Sequence, residues 1–242
     1  MKRPILVTGS ARSGTTWVGR TLAHGRSAAY VSEPFNPSHP PCACGVRVEH
    51  HYTYVSEHNS DVFEAHMTHL LAKLSRVDMV NALRGTVRER RSIHARRMLA
   101  RLMANRVLVK DPLAVFSSEW LASTFDMDVV AVIRHPAAVV NSYLELGWTH
   151  DFSQFLAQTE LMEEHLHPFA PLIEQFTRSE QEPIDQAALL WKLIYHKVLD
   201  YQRRHGRAAG WTFIRHEELS RAPTETFARL YDVEHRQRKE TL

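Results

Sequence analysis

Val129-Val130-Ala131-Val132-Ile133 is an unbroken apolar run, mostly β-branched, with no polar residue alternating through it. A strand of that kind has no face to give to water, so it belongs inside a sheet covered on both sides, as parallel sheets are. The run stops at Arg134-His135-Pro136, and a proline is favoured in the first turn of a helix, so a helix is predicted from Pro136. Four shorter runs follow the same plan: Ile5-Leu6-Val7, Ala28 to Val31, Val107-Leu108-Val109 and Trp211 to Ile214. Apolar residues at three- and four-residue spacing predict helices over 15–22, 62–76, 92–104, 113–123, 152–178, 184–204 and 223–231.

Strands alternating with helices argue an α/β fold, a three-layer sandwich with a central parallel sheet flanked by helices, in which ligands bind outside the carboxyl ends of the strands. With 242 residues, 44% of them hydrophobic, the chain supports one sizeable core and is read as a single domain, 1–242. Pro34, Pro37, Pro40 and Pro41 forbid regular structure after the second strand. Residues 34–60 are therefore a long irregular segment, which in a compact domain is usually functional. Together with the helices up to residue 104 it is assigned to an acceptor site.

The formal net charge of +3 is far from the concentrated charge of a protein that coats nucleic acid, and no nucleic-acid partner is expected. Cys42 and Cys44 stand one residue apart, too close to be bridged without strain and wrongly spaced for common zinc sites, so neither disulfide nor metal is expected. The amino terminus has only Ile5-Leu6-Val7 before Thr8-Gly9, short of a secretory h-region, and no run approaches about 20 apolar residues. A cytoplasmic chain without stable membrane insertion is the expectation; oligomeric state is not legible.

Gly9-Ser10-Ala11-Arg12-Ser13-Gly14-Thr15-Thr16 follows a strand and opens a helix. Backbone N–H groups in such a loop converge where the helix dipole favours an anion, so it should hold a phosphate. The two glycines have the spacing of a triphosphate-binding loop. The residue after the second is Thr15, where ATP-handling loops carry a lysine, and the cation stands inside the loop at Arg12. A P-loop kinase or nucleotide hydrolase using ATP and magnesium is thus the rival reading.

Arg12-Ser13-Gly14-Thr15-Thr16-Trp17 resembles the 5'-phosphosulfate loop of sulfotransferases that use 3'-phosphoadenosine-5'-phosphosulfate (PAPS). Arg134, with Ser142 eight residues on, is similar to that family's second signature, and the resemblance implies that both bind the 3'-phosphate. Phe213-Ile214-Arg215-His216-Glu217-Glu218-Leu219 is similar to a third segment, with His216 standing where the family has a tyrosine near the adenine. The resemblance implies a P-loop-like fold. It implies a donor site made by Ser10, Ala11, Arg12, Ser13, Gly14, Thr15, Thr16, Trp17, Arg134, Ser142 and His216. It also implies transfer of a sulfuryl group to a hydroxyl or amine of a carbohydrate, lipid or small molecule.

Arg12 would stabilise charge on the leaving oxygen; carbohydrate-type and many bacterial members have arginine there. Ser32-Glu33-Pro34 is similar to the Glu-Pro that carbohydrate sulfotransferases use as base, which makes Glu33 the candidate, with His50 and His51 as alternatives. Lys110 either faces the transferring group or pairs with Asp111. The resemblance runs from residue 4 to about 231 and thins at Arg238-Lys239, read as a solvated tail where other members continue into a basic, glycine-containing segment. A PAPS-binding protein without turnover is the second alternative.

Overall fold

The computed structural model describes residues 3–26, 28–39, 46–73, 106–206 and 210–236. Among the described residues, five strands form one sheet: β1 (Ile5–Gly9), β2 (Ala29–Ser32), β3 (Val107–Lys110), β4 (Asp128–Ile133) and β5 (Trp211–Arg215). Their order is β2-β3-β1-β4-β5 and every pairing is parallel. Among the described residues, the helices longer than one turn or so are α1 (Thr15–Arg26), α2 (Ser60–Lys73), α3 (Ser118–Thr124), α4 (Pro136–Leu146), α5 (Ala170–Arg178), α6 (Pro183–His205), α7 (His216–Arg221) and α8 (Pro223–Arg236).

The period-two geometry of the strands divides the interior into two cores. Leu6, Val109, Val129 and Ala131 point to one face and meet residues of α2, α3, α4 and α6. Ile5, Val7, Leu108, Val130 and Val132 point to the other and meet Val18 and Leu22 of α1, Leu219 of α7 and Phe227 of α8. Each valine, leucine, isoleucine or phenylalanine among them contributes about 1.5–3 kcal/mol by burial, which is why the strands read as continuous apolar runs. The α/β sandwich is thereby established, and the five carboxyl-terminal strand ends share one edge.

Two helical expectations are corrected. Residues 152–178 do not form one helix: short turns at Ser153–Leu156 and Thr159–Leu161 lead into a π-turn at Met162–Leu166, a 3-10 turn at His167–Phe169 and then α5. Pro168 and Pro171 supply the reason, since each removes a backbone donor and clashes with the preceding turn. The helix expected over 113–123 starts late, as a 3-10 turn at Val115–Ser117 followed by α3, after a turn in which Asp111 Oδ1 accepts from the Leu113 N–H at 2.9 Å. The segment 92–104, Cys42, Cys44 and Arg238-Lys239 lie outside the described residues.

Candidate active site

The loop between β1 and α1 is built on left-handed backbone. Gly9 has φ +140° and Gly14 φ +100°. A Cβ on Gly9 would meet the Val132 carbonyl oxygen at 2.4 Å, and one on Gly14 would meet His216 Nδ1 at 2.4 Å. The second contact shows how close His216, at the start of α7, lies to the loop; its ring also meets Trp17 edge-on with centroids 5.9 Å apart. Trp17 and His216, both named for the donor site, are therefore neighbours. Burial and then the Arg134 charge push the His216 imidazole below its ordinary range.

Arg12, itself at φ +65°, joins the loop to the second segment. Its Nε donates to Ser142 Oγ at 2.9 Å, and its carbonyl accepts from Arg134 Nη1 at 2.6 Å. Groups about 130 positions apart in sequence thus converge on one loop residue. The backbone of Arg134 is held by α6: its N–H donates to the Tyr195 hydroxyl at 3.1 Å, and its carbonyl accepts from Trp191 Nε1 at 3.0 Å. Trp191 and Tyr195 are positioning residues that sequence reading missed, because nothing local links a long helix to the end of β4.

On the other side of β1, the register sets Ser32 opposite Lys110, which brings Glu33 beside Lys110. Lys110 Nζ donates to Glu33 Oε1, and Asn36 Nδ2 donates to Glu33 Oε2 at 2.9 Å. Of the two roles open for Lys110, pairing with Asp111 is therefore not observed. Burial pushes the Glu33 carboxyl up, but the bonds from Lys110 and Asn36 outweigh it and hold the carboxyl below its usual range.

Asp111 has another task. Fully buried, it accepts from the Phe35 N–H at 2.7 Å and the Leu113 N–H at 2.9 Å, pinning the corner that follows Glu33 to the end of β3. Burial pushes its carboxyl up to about 7 against those two bonds. Folding thus favours the neutral form, so the contribution to stability is complete below about pH 4 and is lost as pH rises toward 7. The thermal midpoint of the wild type, relative to Asp111→Asn, is expected to fall between pH 4.5 and 8 in calorimetry. A difference that does not change with pH would count against this role.

A cavity of about 470 Å³ opens beside Glu33 and touches the loop at Ala11, with His51, Tyr52, Tyr143 and Trp148 also in its walls. Residues of segment 34–60 line it, and so do Tyr143 near the end of α4 and residues from 148–154. A larger cavity of about 610 Å³, lined by Arg47, His50, Tyr54, Val62 and Glu160 among others, includes no residue of the loop, so of these two cavities the loop is bordered by the smaller. Of the two alternative histidines only His51 reaches it. The His51 backbone N–H donates to Gln154 Oε1 at 2.8 Å.

Arg12, Glu33 and Tyr52 are three of the four non-glycine residues with positive φ among the described residues. Such backbone costs about 1–3 kcal/mol per residue and gathers where the surroundings enforce a particular geometry. Here Glu33 and Tyr52 line the 470 Å³ cavity, and the Arg12 guanidinium lies over Trp148 of its wall, 5.7 Å from the ring centroid.

The family model described as "Sulfotransferase family" matches residues 4–178. The chain belongs to the sulfotransferase family. Among solved structures this sulfotransferase is similar to the sulfotransferase domain from the curacin biosynthetic pathway, with 16% identity, a TM-score of 0.48, and 96% of this chain and 74% of that one covered. It is also similar to the sulfotransferase domain of the Synechococcus PCC 7002 olefin synthase, at 18% identity, a TM-score of 0.45 and the same coverage. A sulfotransferase from Alicyclobacillus acidocaldarius gives 15% identity and a TM-score of 0.44 over 96% of this chain and 81% of that one. No curated protein matches the sequence. Among the described residues, no helix of this sulfotransferase is long and apolar enough to cross a membrane.

Proposed function

We propose that this sulfotransferase, acting as one domain over residues 1–242 in the cytoplasm, takes its sulfuryl group from PAPS and transfers it to an acceptor hydroxyl in the 470 Å³ cavity. The observation that carries the reading is the convergence of Arg134 and Ser142 on Arg12 in the loop. The donor site also passes a test of fit. Arg134 Nε is buried without a hydrogen-bond partner, the state of a guanidinium awaiting an anion. At Gly14 a Cβ would collide with the His216 ring, so the glycine is what lets that imidazole close against the loop.

The residues Ser10 to Trp17, with Arg134, Ser142 and His216, would hold the donor. In transfer, the donor's sulfur–oxygen bond breaks with its electron pair left on the phosphate, a new bond forms to the acceptor oxygen, and the acceptor proton goes to Glu33. Arg12 stabilises the charge that develops on the leaving oxygen, since an arginine offers charge and hydrogen bonds without giving up a proton. Lys110 keeps Glu33 ionised and in place. Because that pairing also makes Glu33 a weak base, the acceptor must be well polarised for the proton to move.

Calorimetric titration tests the donor. The desulfated product 3'-phosphoadenosine 5'-phosphate (PAP) is expected to bind where ATP with magnesium does not. Arg134→Ala is expected to weaken PAP binding at least tenfold, about 1.4 kcal/mol. Preference for ATP, or a mutation without effect, returns the loop to the kinase reading.

A further inference from the structure

The cavity beside Glu33 has walls of two kinds. One is aromatic and aliphatic: Tyr143 and Trp148 meet edge-on with centroids 5.5 Å apart, and Leu113 and Leu190 extend that surface. The other is polar, but its groups are largely committed to one another or to the adjacent backbone. Asn36 donates to Glu33 at 2.9 Å. The His51 N–H donates to Gln154 at 2.8 Å. Asp151 Oδ1 accepts from the Ser153 N–H at 3.0 Å and from its hydroxyl at 2.6 Å.

One exception is His150 Nε2, buried on this wall without a hydrogen-bond partner; the Tyr52 and Tyr143 hydroxyls are the others. They stand 3.5 Å apart, at the far limit of a hydrogen bond, so each keeps capacity for a further partner. Burial pushes both phenols up, which keeps them neutral and able to donate. The Tyr52 backbone is left-handed, with φ +60°, an uncommon state for so large a residue. Its ring is fixed among others, with centroids 6.0 Å from Phe155 and 6.3 Å from Phe116. The fold thus accepts strain to keep an aromatic wall carrying one phenol at this place.

A sugar entering such a space would strip water from several hydroxyls and find few free partners, an unfavourable exchange. A flat apolar ring would meet aromatic surface on the wall and present one hydroxyl to Glu33. We infer that the acceptor is an aromatic alcohol or phenol, and that Tyr52, Tyr143 and Trp148 select it. The inference rests on the reading of this cavity as the acceptor site of a PAPS-dependent transfer.

The test is direct binding to the full chain saturated with PAP, with 2-naphthol and glucosamine as probes. The expected result is a Kd for 2-naphthol at least tenfold below that for glucosamine, raised about tenfold by Trp148→Ala and several-fold by Tyr52→Phe. The affinity of each variant for PAP, measured alongside, reports that the fold is intact. Equal or reversed preference, or 2-naphthol binding indifferent to both substitutions, overturns the inference while PAP binding stands. Absence of PAP binding overturns the donor reading itself, a separate and recognisable failure.

Discussion

Arg12→Ala is expected to lower kcat by about 10²–10³, the usual cost of removing one group that stabilises developing charge. PAP affinity should fall far less, because charge on the leaving oxygen grows only as the sulfur–oxygen bond breaks. Arg12→Lys separates charge from geometry. A lysine restores the charge but not the Nε donor that reaches Ser142, so recovery of part of kcat is expected, with weaker ordering of Ser142. Steady-state kinetics of each variant with PAPS, set beside PAP titrations, gives both numbers. Equal losses in PAP affinity and kcat would reduce Arg12 to a binding residue.

Glu33 yields the second large effect, in two separable parts. Glu33→Gln keeps an oxygen that can accept from Lys110 but cannot take a proton. It is expected to cut kcat by about 10²–10⁴ with little change in the thermal midpoint. Glu33→Ala should show the same loss of turnover and in addition leave Lys110, 3% exposed, without its partner. Because Glu33 is only half-buried, water softens that penalty, and about 2 kcal/mol of stability is the expected cost. Activity in Glu33→Gln within threefold of the wild type would transfer the base role to His51, which lines the same cavity.

The strand ends were legible because burial on both faces leaves a continuous apolar run, and a helix following each run fixes where the run stops. That logic located Gly9 to Thr16, Glu33, Lys110 and Arg134. What it could not see were pairings set by the order of strands across the sheet. Nothing local joins Glu33 to Lys110; they meet because β2 lies beside β3 with Ser32 level with Lys110. Asp111 escaped for a related reason, since its partners are backbone N–H groups of Phe35 and Leu113 that any residue would offer. The breaks in 152–178 were signalled by Pro168 and Pro171, but apolar spacing alone cannot tell an α-turn from a π-turn. Tyr52 and the residues from Trp148 to Gln154 belong to irregular backbone, where side-chain direction follows no period.

The position of β1 at the centre of the sheet has a consequence for synthesis. Both of its hydrogen-bonding neighbours, β3 and β4, lie later in the chain, so when β1 leaves the ribosome neither partner exists. Roughly 100 residues must follow before β3 is complete, which at about 5–20 residues per second is on the order of 5–20 s. During that interval Ile5-Leu6-Val7 is an unpaired apolar segment of a nascent polypeptide. Folding of this sheet is non-local and correspondingly slow, and the newborn chain depends on whatever shields its first strand until Val107 to Ile133 have emerged.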